Sequence, residues 1–166
     1  MIHNTHMSQY IPCTAMHYVT GTWASAAGYV AGTIVNRKDA AAETTVVTVP
    51  IVIPSNSIDL QGVKLASIEL DYELETAAAT SVTAVLHKIV RGIDGAVAVA
   101  SHPTITQDLA AAVAAATHDQ HKLVVTLTTP EWVDNDVYFL CEFTFVCALT
   151  TAVDILAAVA NFTLRA

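Results

Sequence analysis

The stretch "SIELDYELE", Ser67 to Glu75, decides the fold. Acids stand at Glu69, Asp71, Glu73 and Glu75, and apolar residues at Ile68, Leu70, Tyr72 and Leu74. A period of two sends alternate side chains to opposite faces of a β-strand. A helix would scatter the same acids around its circumference. Over 66–76, Ala66 joins the apolar face and Ser67 the polar one. This predicts a half-buried strand with one face on a core and one in water.

The acidic row also poses a question of chemistry. Calcium ligands come from a curved loop that wraps the ion. Positions i, i+2 and i+4 of a strand lie in a line, about 7 Å per step, so one ion cannot touch three of them. A glycosidase needs two carboxylates about 5 to 9 Å apart across a cleft, and neighbours on one strand face have that spacing by default. The row therefore reads as a solvated or cross-strand-paired face.

Working outward, the apolar run Val82–Val90 follows after "TAAATS". It is expected to form a hairpin with 66–76, bringing His87, Lys88 and Arg91 near the acids. "RGIDG" (91–95) is a turn, with a short strand after it at 96–100. Upstream, "TTVVTVPIVIP" (44–54) is a β-branched strand that Pro50 assigns to an edge or a bulge. Downstream, "KLVVTLTTP" (122–130) is a strand stopped by Pro130, and "EWVDND" (131–136) a polar turn. "VYFLCEFTFVCAL" (137–149) is apolar on both faces apart from Glu142 and Thr144. Such a strand is central in a two-layer packing or lies at a subunit interface. Tyr138, Phe139, Leu140, Cys141, Phe143 and Phe145 are its interface candidates. "DILAAVANFTLR" (154–165) is the last strand.

Alanine-rich "TQDLAAAVAAATHD" (106–119) breaks the alternation. It predicts one short inserted helix near 106–117, capped by Thr106 or Asp108. Residues 1–43 carry Gly21, Gly28 and Gly32 and little periodicity. They read as an N-terminal arm with short strands, of the kind that swaps between subunits. Residues 44–166 then form an all-β domain, a β-sandwich of jelly-roll type.

Composition bears on association. Hydrophobic residues make up 54 % and charged residues 13 % of the 166, about half the usual charged share of roughly 25 %. Mean hydropathy is +0.50. Seven basic and fifteen acidic side chains cover thinly a surface on the order of 8,000 Å². No stretch predicts a membrane-spanning helix, since the uncharged run Met7–Asn36 is broken by Pro12, His17 and three glycines. "MIHNTHMSQY" has no basic region leading into an apolar one, so no secretory leader is expected. Burial of apolar surface against other copies is the remaining explanation. With net charge −8, pI near 5.1 and Arg37-Lys38 as the only basic pair, no nucleic-acid binding is expected.

The other candidate sites are sparse. "HDQH" offers His118 and His121 as a zinc pair, but zinc needs a third and fourth ligand. Histidines at a helix end also favour its dipole. His3 and His6 form a second such pair. There is no G-x-S-x-G elbow, P-loop or dinucleotide fingerprint, and Cys13 near His17 reads as packing. Cys13, Cys141 and Cys147 read as buried free thiols. Asn161 matches the glycosylation pattern in "NFT" but lies in a strand. Trp23 and Trp132, with Tyr29, are candidates for stacking on sugars.

The succession "VTVPIVIPSN", "GVKLASIELDYELETAAATSVTAVLHKI" and "HDQHKLVVTLTTPEWVDNDVYFLCEFTF" resembles β-rich structural proteins of tailed bacteriophages. The resemblance covers 44–164 and rests on strand and turn patterns. It implies a virion component, namely a capsid decoration, head-fibre or tail-associated protein. It also implies a jelly-roll oligomer, with a trimer as the expected symmetry, and it carries no functional residues over.

These readings converge on a non-enzymatic structural protein, with no cofactor, that self-associates and joins other proteins of a phage virion. Two alternatives stand beside it. One is a self-assembling extracellular fibre or surface-layer subunit at the cell surface. The other is a carbohydrate-binding attachment module.

Overall fold

The structure, a computed structural model, describes residues 4–28, 32–52, 63–107, 120–133 and 136–165. Alternation becomes strand almost throughout. The strands are β1 (Asn4–Pro12), β2 (His17–Thr20), β3 (Trp23–Ala27), β4 (Ile34–Lys38), β5 (Thr44–Ile51), β6 (Val63–Glu75), β7 (Ser81–Arg91), β8 (Val97–Ser101), β9 (Ile105–Gln107), β10 (Gln120–Val133), β11 (Val137–Val146) and β12 (Ala152–Arg165). Among the described residues one 3-10 turn, Cys13–Ala15, is the only helical segment.

Two antiparallel sheets result. The first runs β3-β4-β12-β6-β10-β9, with β1 also on β12, and the second β2-β5-β11-β7-β8. Setting aside β1, β2, β3 and β9 leaves eight strands. Numbered along the chain, they stand first-eighth-third-sixth in one sheet and second-seventh-fourth-fifth in the other. That is a long antiparallel ribbon wound across two sheets, the order of a jelly roll.

The core lies between the sheets. Ile68, Leu70, Tyr72 and Leu74 of β6 face Val47, Val49 and Ile51 of β5 and the inward residues of β11, all fully buried. The Tyr72 ring meets Phe145 edge-on, with centroids 5.3 Å apart, and so joins the two layers. Each such side chain contributes about 1.5–3 kcal/mol through burial.

Several expectations are corrected. Phe139, Cys141, Phe143 and Phe145 are fully buried in this chain's own core. Their side chains fill the space between the two sheets, on the inner face of β11, the middle strand of its sheet, and are not on the surface of this chain. Tyr138 and Leu140 lie half-buried on the outer face. β6 and β7 are not a hairpin: they belong to opposite sheets, so β7 does not bring His87, Lys88 or Arg91 to the acids of β6. Ala66 is only half-buried, because irregularities in the pairing of β6 with both neighbours shift the alternation there. β10 does not stop at Pro130 but runs to Val133, skipping from Thr126 to Glu131 in its register with β6. Pro130 falls in that gap, where its missing N–H leaves no ladder bond unmade. Thr106 and Gln107 are strand, paired with Thr126 and Val125, and the rest of the expected helix lies outside the described residues.

The strands expected in an N-terminal arm are laid into the sandwich. β1 pairs with β12 from Asn4 to Pro12, β2 with β5, and β4 with β12, while Ile11, Cys13 and Met16 are core residues. The turn from β2 to β3 requires glycine: Gly21 has φ +92°, and a Cβ there would come within 2.6 Å of Thr45 Cγ2. Pro50 pairs with Leu140 beyond the reach of β2, which stops at Thr48. Its nitrogen therefore faces an open edge, as its place in the sequence suggested.

Two lysines close the core. Lys38, fully buried, donates to the carbonyls of Asp39, Ala41 and Thr151 at 2.8, 3.0 and 3.2 Å. Lys88 of β7 reaches Glu131 of β10 at 3.0 Å, tying the sheets together.

Candidate functional site

The acidic face of β6 is neutralised by its neighbours. Arg37 on β4 reaches across β12. Its Nε donates to Asp154 Oδ1 at 2.7 Å and its Nη2 to Glu75 Oε1 at 2.9 Å. Asp154 is fully buried, and this bond pushes the Arg37 pKa up, against the effect of burial. Carboxylate oxygens of Glu73, Glu75 and Asp154 come within 4.8 Å of one another, close enough to share a cation. The Arg37 guanidinium stands in that place. Further along, Lys122 on β10 binds Glu69 at 2.7 Å. The hydrogen bond from Lys122 holds the Glu69 carboxyl below the usual carboxylate range, with burial opposing it and a bond from Asn161 assisting. The row is thus cross-strand paired rather than a site, though Glu73 is buried instead of solvated.

A cleft of about 530 Å³ opens beside this face, lined among others by Tyr10, Ile34, Asp71, His121, Lys122 and Leu156. Burial pushes the Asp71 carboxyl up, against the nearby Lys122 charge. His121 stacks on Tyr72, with centroids 5.4 Å apart, and its Nε2 is buried without a partner among the described residues. Acid–base hydrolysis of a glycoside requires a raised acid beside a second carboxylate. Here the neighbouring Glu69 is committed to Lys122. His118, the other half of the expected zinc pair, lies outside the described residues.

A second group of polar side chains lies on the outer face of the other sheet. His87 of β7 has Leu140 opposite it and Glu142 diagonally across on β11. His87 Nε2 is 3.8 Å from Glu142 Oε2, and His102, just past β8, sets its ring edge-on to His87 with centroids 4.8 Å apart. Sequence reading missed this trio. Its signals were that Glu142 is the sole charge on β11 and that the turn at 91–95 folds the chain after His87 back toward His102; the pairing of β7 with β11, distant along the chain, was not legible.

The aromatic candidates do not form one platform. Trp23 on β3 packs at 4.7 Å on Tyr18 and donates to the Thr20 carbonyl at 2.8 Å. Burial pushes the Tyr18 hydroxyl up to about 12, with the Asn36 hydrogen bond acting against it. Trp132 on β10 is 38 % exposed and has the Lys64 amine over its ring at 4.5 Å. Four strand spacings, about 19 Å, separate β3 from β10. Tyr29 and His3 lie outside the described residues. Asn161 donates to Ser67 and Glu69 and accepts from Ser8, so its amide is engaged in the sheet. All three cysteines are free and buried.

One surface remains apolar. Ile93 is fully exposed, and Val97 and Val99 of β8 are 58 % and 51 % exposed. β8 ends its sheet, and no Asp, Glu, Lys or Arg occurs from Gly95 to Gln107. Among the described residues no helix is long and apolar enough to cross a membrane. No protein-family model and no curated protein matches this chain.

Proposed function

We propose that this chain is a non-enzymatic structural protein that associates with copies of itself and forms part of a larger assembly. In the reading that the sequence resemblance suggests, that assembly is a phage particle, with the chain as a decoration, fibre or tail component. The observation that carries the proposal is the β8 edge. An end strand presents a row of unpaired N–H and C=O groups, and proteins that stay monomeric protect it with charge, proline or cover. β8 is uncharged, carries valine at alternate positions, and is exposed from Val97 to Val99. A strand from a neighbouring copy added there completes hydrogen bonds and covers Val97 and Val99 together. The jelly-roll order supports the same reading, since capsid and lectin domains use it. A fibre or surface-layer subunit would use the same edge.

Light scattering after size exclusion tests this. The wild-type chain is expected as a discrete oligomer or longer species, and a Val97→Lys, Val99→Lys double variant as a folded monomer. A wild-type monomer of 17.6 kDa at high protein concentration overturns the proposal. So does an oligomer that the double variant leaves intact.

A further inference from the structure

We propose that the cleft between Tyr10 and Asp71, on the outer face of the first sheet, binds a neutral sugar. Tyr10 stacks on the ring, and Asp71 and Lys122 hold its hydroxyls. The site is separate from Trp23 and Trp132, and the inference does not depend on the assembly reading.

The topology opens the cleft. Along one edge β12 changes neighbours: β4 pairs with it from Val153 to Ile155, and β1 from Ala157 onward. Along its other edge the ladder to β6 skips from Ile155 to Ala157. Leu156 is thus the point where β12 breaks register on both sides, and the surface of the sheet is interrupted there. Leu156 and Ala157 line the cleft, with Tyr10 of β1 and Ile34 of β4 on one side and Asp71 of β6 and Lys122 of β10 on the other. Two strand spacings, about 10 Å, separate β1 from β6. On the strand between them, the residue opposite Asp71 is the small Ala157, which leaves room for a ring. The volume of about 530 Å³ falls within the range of small-ligand sites, about 300–1,000 Å³.

The chemistry of the walls selects the ligand. Tyr10 is 66 % exposed and Ile34 64 %. A sugar ring has an apolar C–H face that an open aromatic ring covers, and a rim of hydroxyls. Glu69 and Glu75 are each held by a basic side chain. Asp71 differs from them. It is half-buried and accepts no hydrogen bond among the described residues, feeling the charges of Lys122 and Glu69 only through space. A polar group withdrawn from water in this way calls for partners. Two adjacent hydroxyls supply them, because an ionised carboxylate accepts on both oxygens. The Lys122 ammonium has three donors, binds Glu69 with one of them, and has others for a hydroxyl oxygen.

Charge decides between ligand classes. Two carboxylates, Glu69 and Asp71, stand against one ammonium at this cleft, so a surplus negative charge disfavours an anion. Lys122 beside Asp71 disfavours an amine. A neutral polyol with one apolar face suits both.

The test is saturation-transfer NMR on the full chain, which reads weak binding in any oligomeric state. The probes are the methyl glycosides of glucose, galactose and mannose, N-acetylglucosamine, and lactose beside sialyllactose. Saturable millimolar binding of at least one neutral sugar is expected, with lactose bound no more weakly than sialyllactose. For the sugar that binds, Asp71→Asn should weaken affinity at least about tenfold and Tyr10→Ala about fivefold. Tyr10→Phe and Trp132→Ala should leave it unchanged. Tyr10 is exposed and Asp71→Asn removes a charge that burial disfavours, so both variants keep the fold, as circular dichroism will verify. Three results overturn the proposal: no binding of any neutral sugar at high millimolar concentration, binding that Tyr10→Ala and Asp71→Asn leave unchanged, or tighter binding of sialyllactose than of lactose.

Discussion

Lys38 shows how far one side chain can depart from what its neighbours in sequence suggest. In "NRKD" it reads as half of a solvated basic pair, and lysine is almost never fully buried unless paired. Here it points inward because its cross-strand partner is the core residue Val153. Three carbonyls take its three donors, and Glu43 stands 3.7 Å away. Lys38→Met fills the space but strips those carbonyls of their partner, at about 1–3 kcal/mol for each buried group left unmade. The net expectation, after relief of the buried charge, is a loss of about 3 kcal/mol, read from the urea midpoint with an unchanged m-value. Arg37, one residue earlier, points to the outer face and neutralises Asp154 and Glu75. Alternation assigns these neighbours to opposite faces, but it does not say which face is dry.

At the scale of the element, β6 is the strand whose pattern was most legible and whose partners were least so. Its alternation from Ile68 to Leu74 holds. Its acidic row is held by Lys122 of β10 and Arg37 of β4, neither of them near it in sequence. The pairing carries a pH dependence. Glu69's folded pKa lies below its unfolded value. Its contribution is therefore complete above the ordinary glutamate value of about 4.3 and is lost as pH falls through the lowered folded value. Asp71 acts in the opposite sense. Burial raises its folded value, so its contribution is fullest in acid and is lost as pH rises through that value. Because the Lys122 side chain is 58 % exposed, the Glu69 pair contributes only a few tenths to about 1 kcal/mol. Glu69→Gln should lower stability by that amount at pH 7 and by nothing once pH is below the folded value of Glu69. Urea unfolding at pH 7 and in strong acid measures both limits, and an equal loss at the two would refute the pairing.

For the whole molecule, the winding of the ribbon puts β11 at the centre of one sheet and seals the thiols. Cys141 is fully buried, and burial, with a smaller push from Glu142, raises its pKa far above the ordinary thiol value. A thiol without thiolate character does not attack disulfide reagents. Labelling of Cys141 by an aromatic disulfide should therefore proceed only as fast as global unfolding, and all three cysteines should react promptly in denaturant. Mass spectrometry of the native protein after short exposure checks this, and fast modification of Cys141 would refute the packing. The sequence by itself determined the strands, because a period of two and the placing of turns such as Asp94-Gly95 are local properties. It also determined the all-β class and which face of β6 carries the acids, though not that neighbouring strands pair and partly bury them. Tertiary structure decided the rest. It put Phe139, Cys141, Phe143 and Phe145 in the core, sent β6 and β7 to opposite sheets, carried β10 past Pro130, and laid Glu142 of β11 beside His87 of β7. In each case the deciding contact joins strands distant along the chain. Alternation says only that a side chain has two faces to choose from, and which strand lies beside it depends on how the whole ribbon winds.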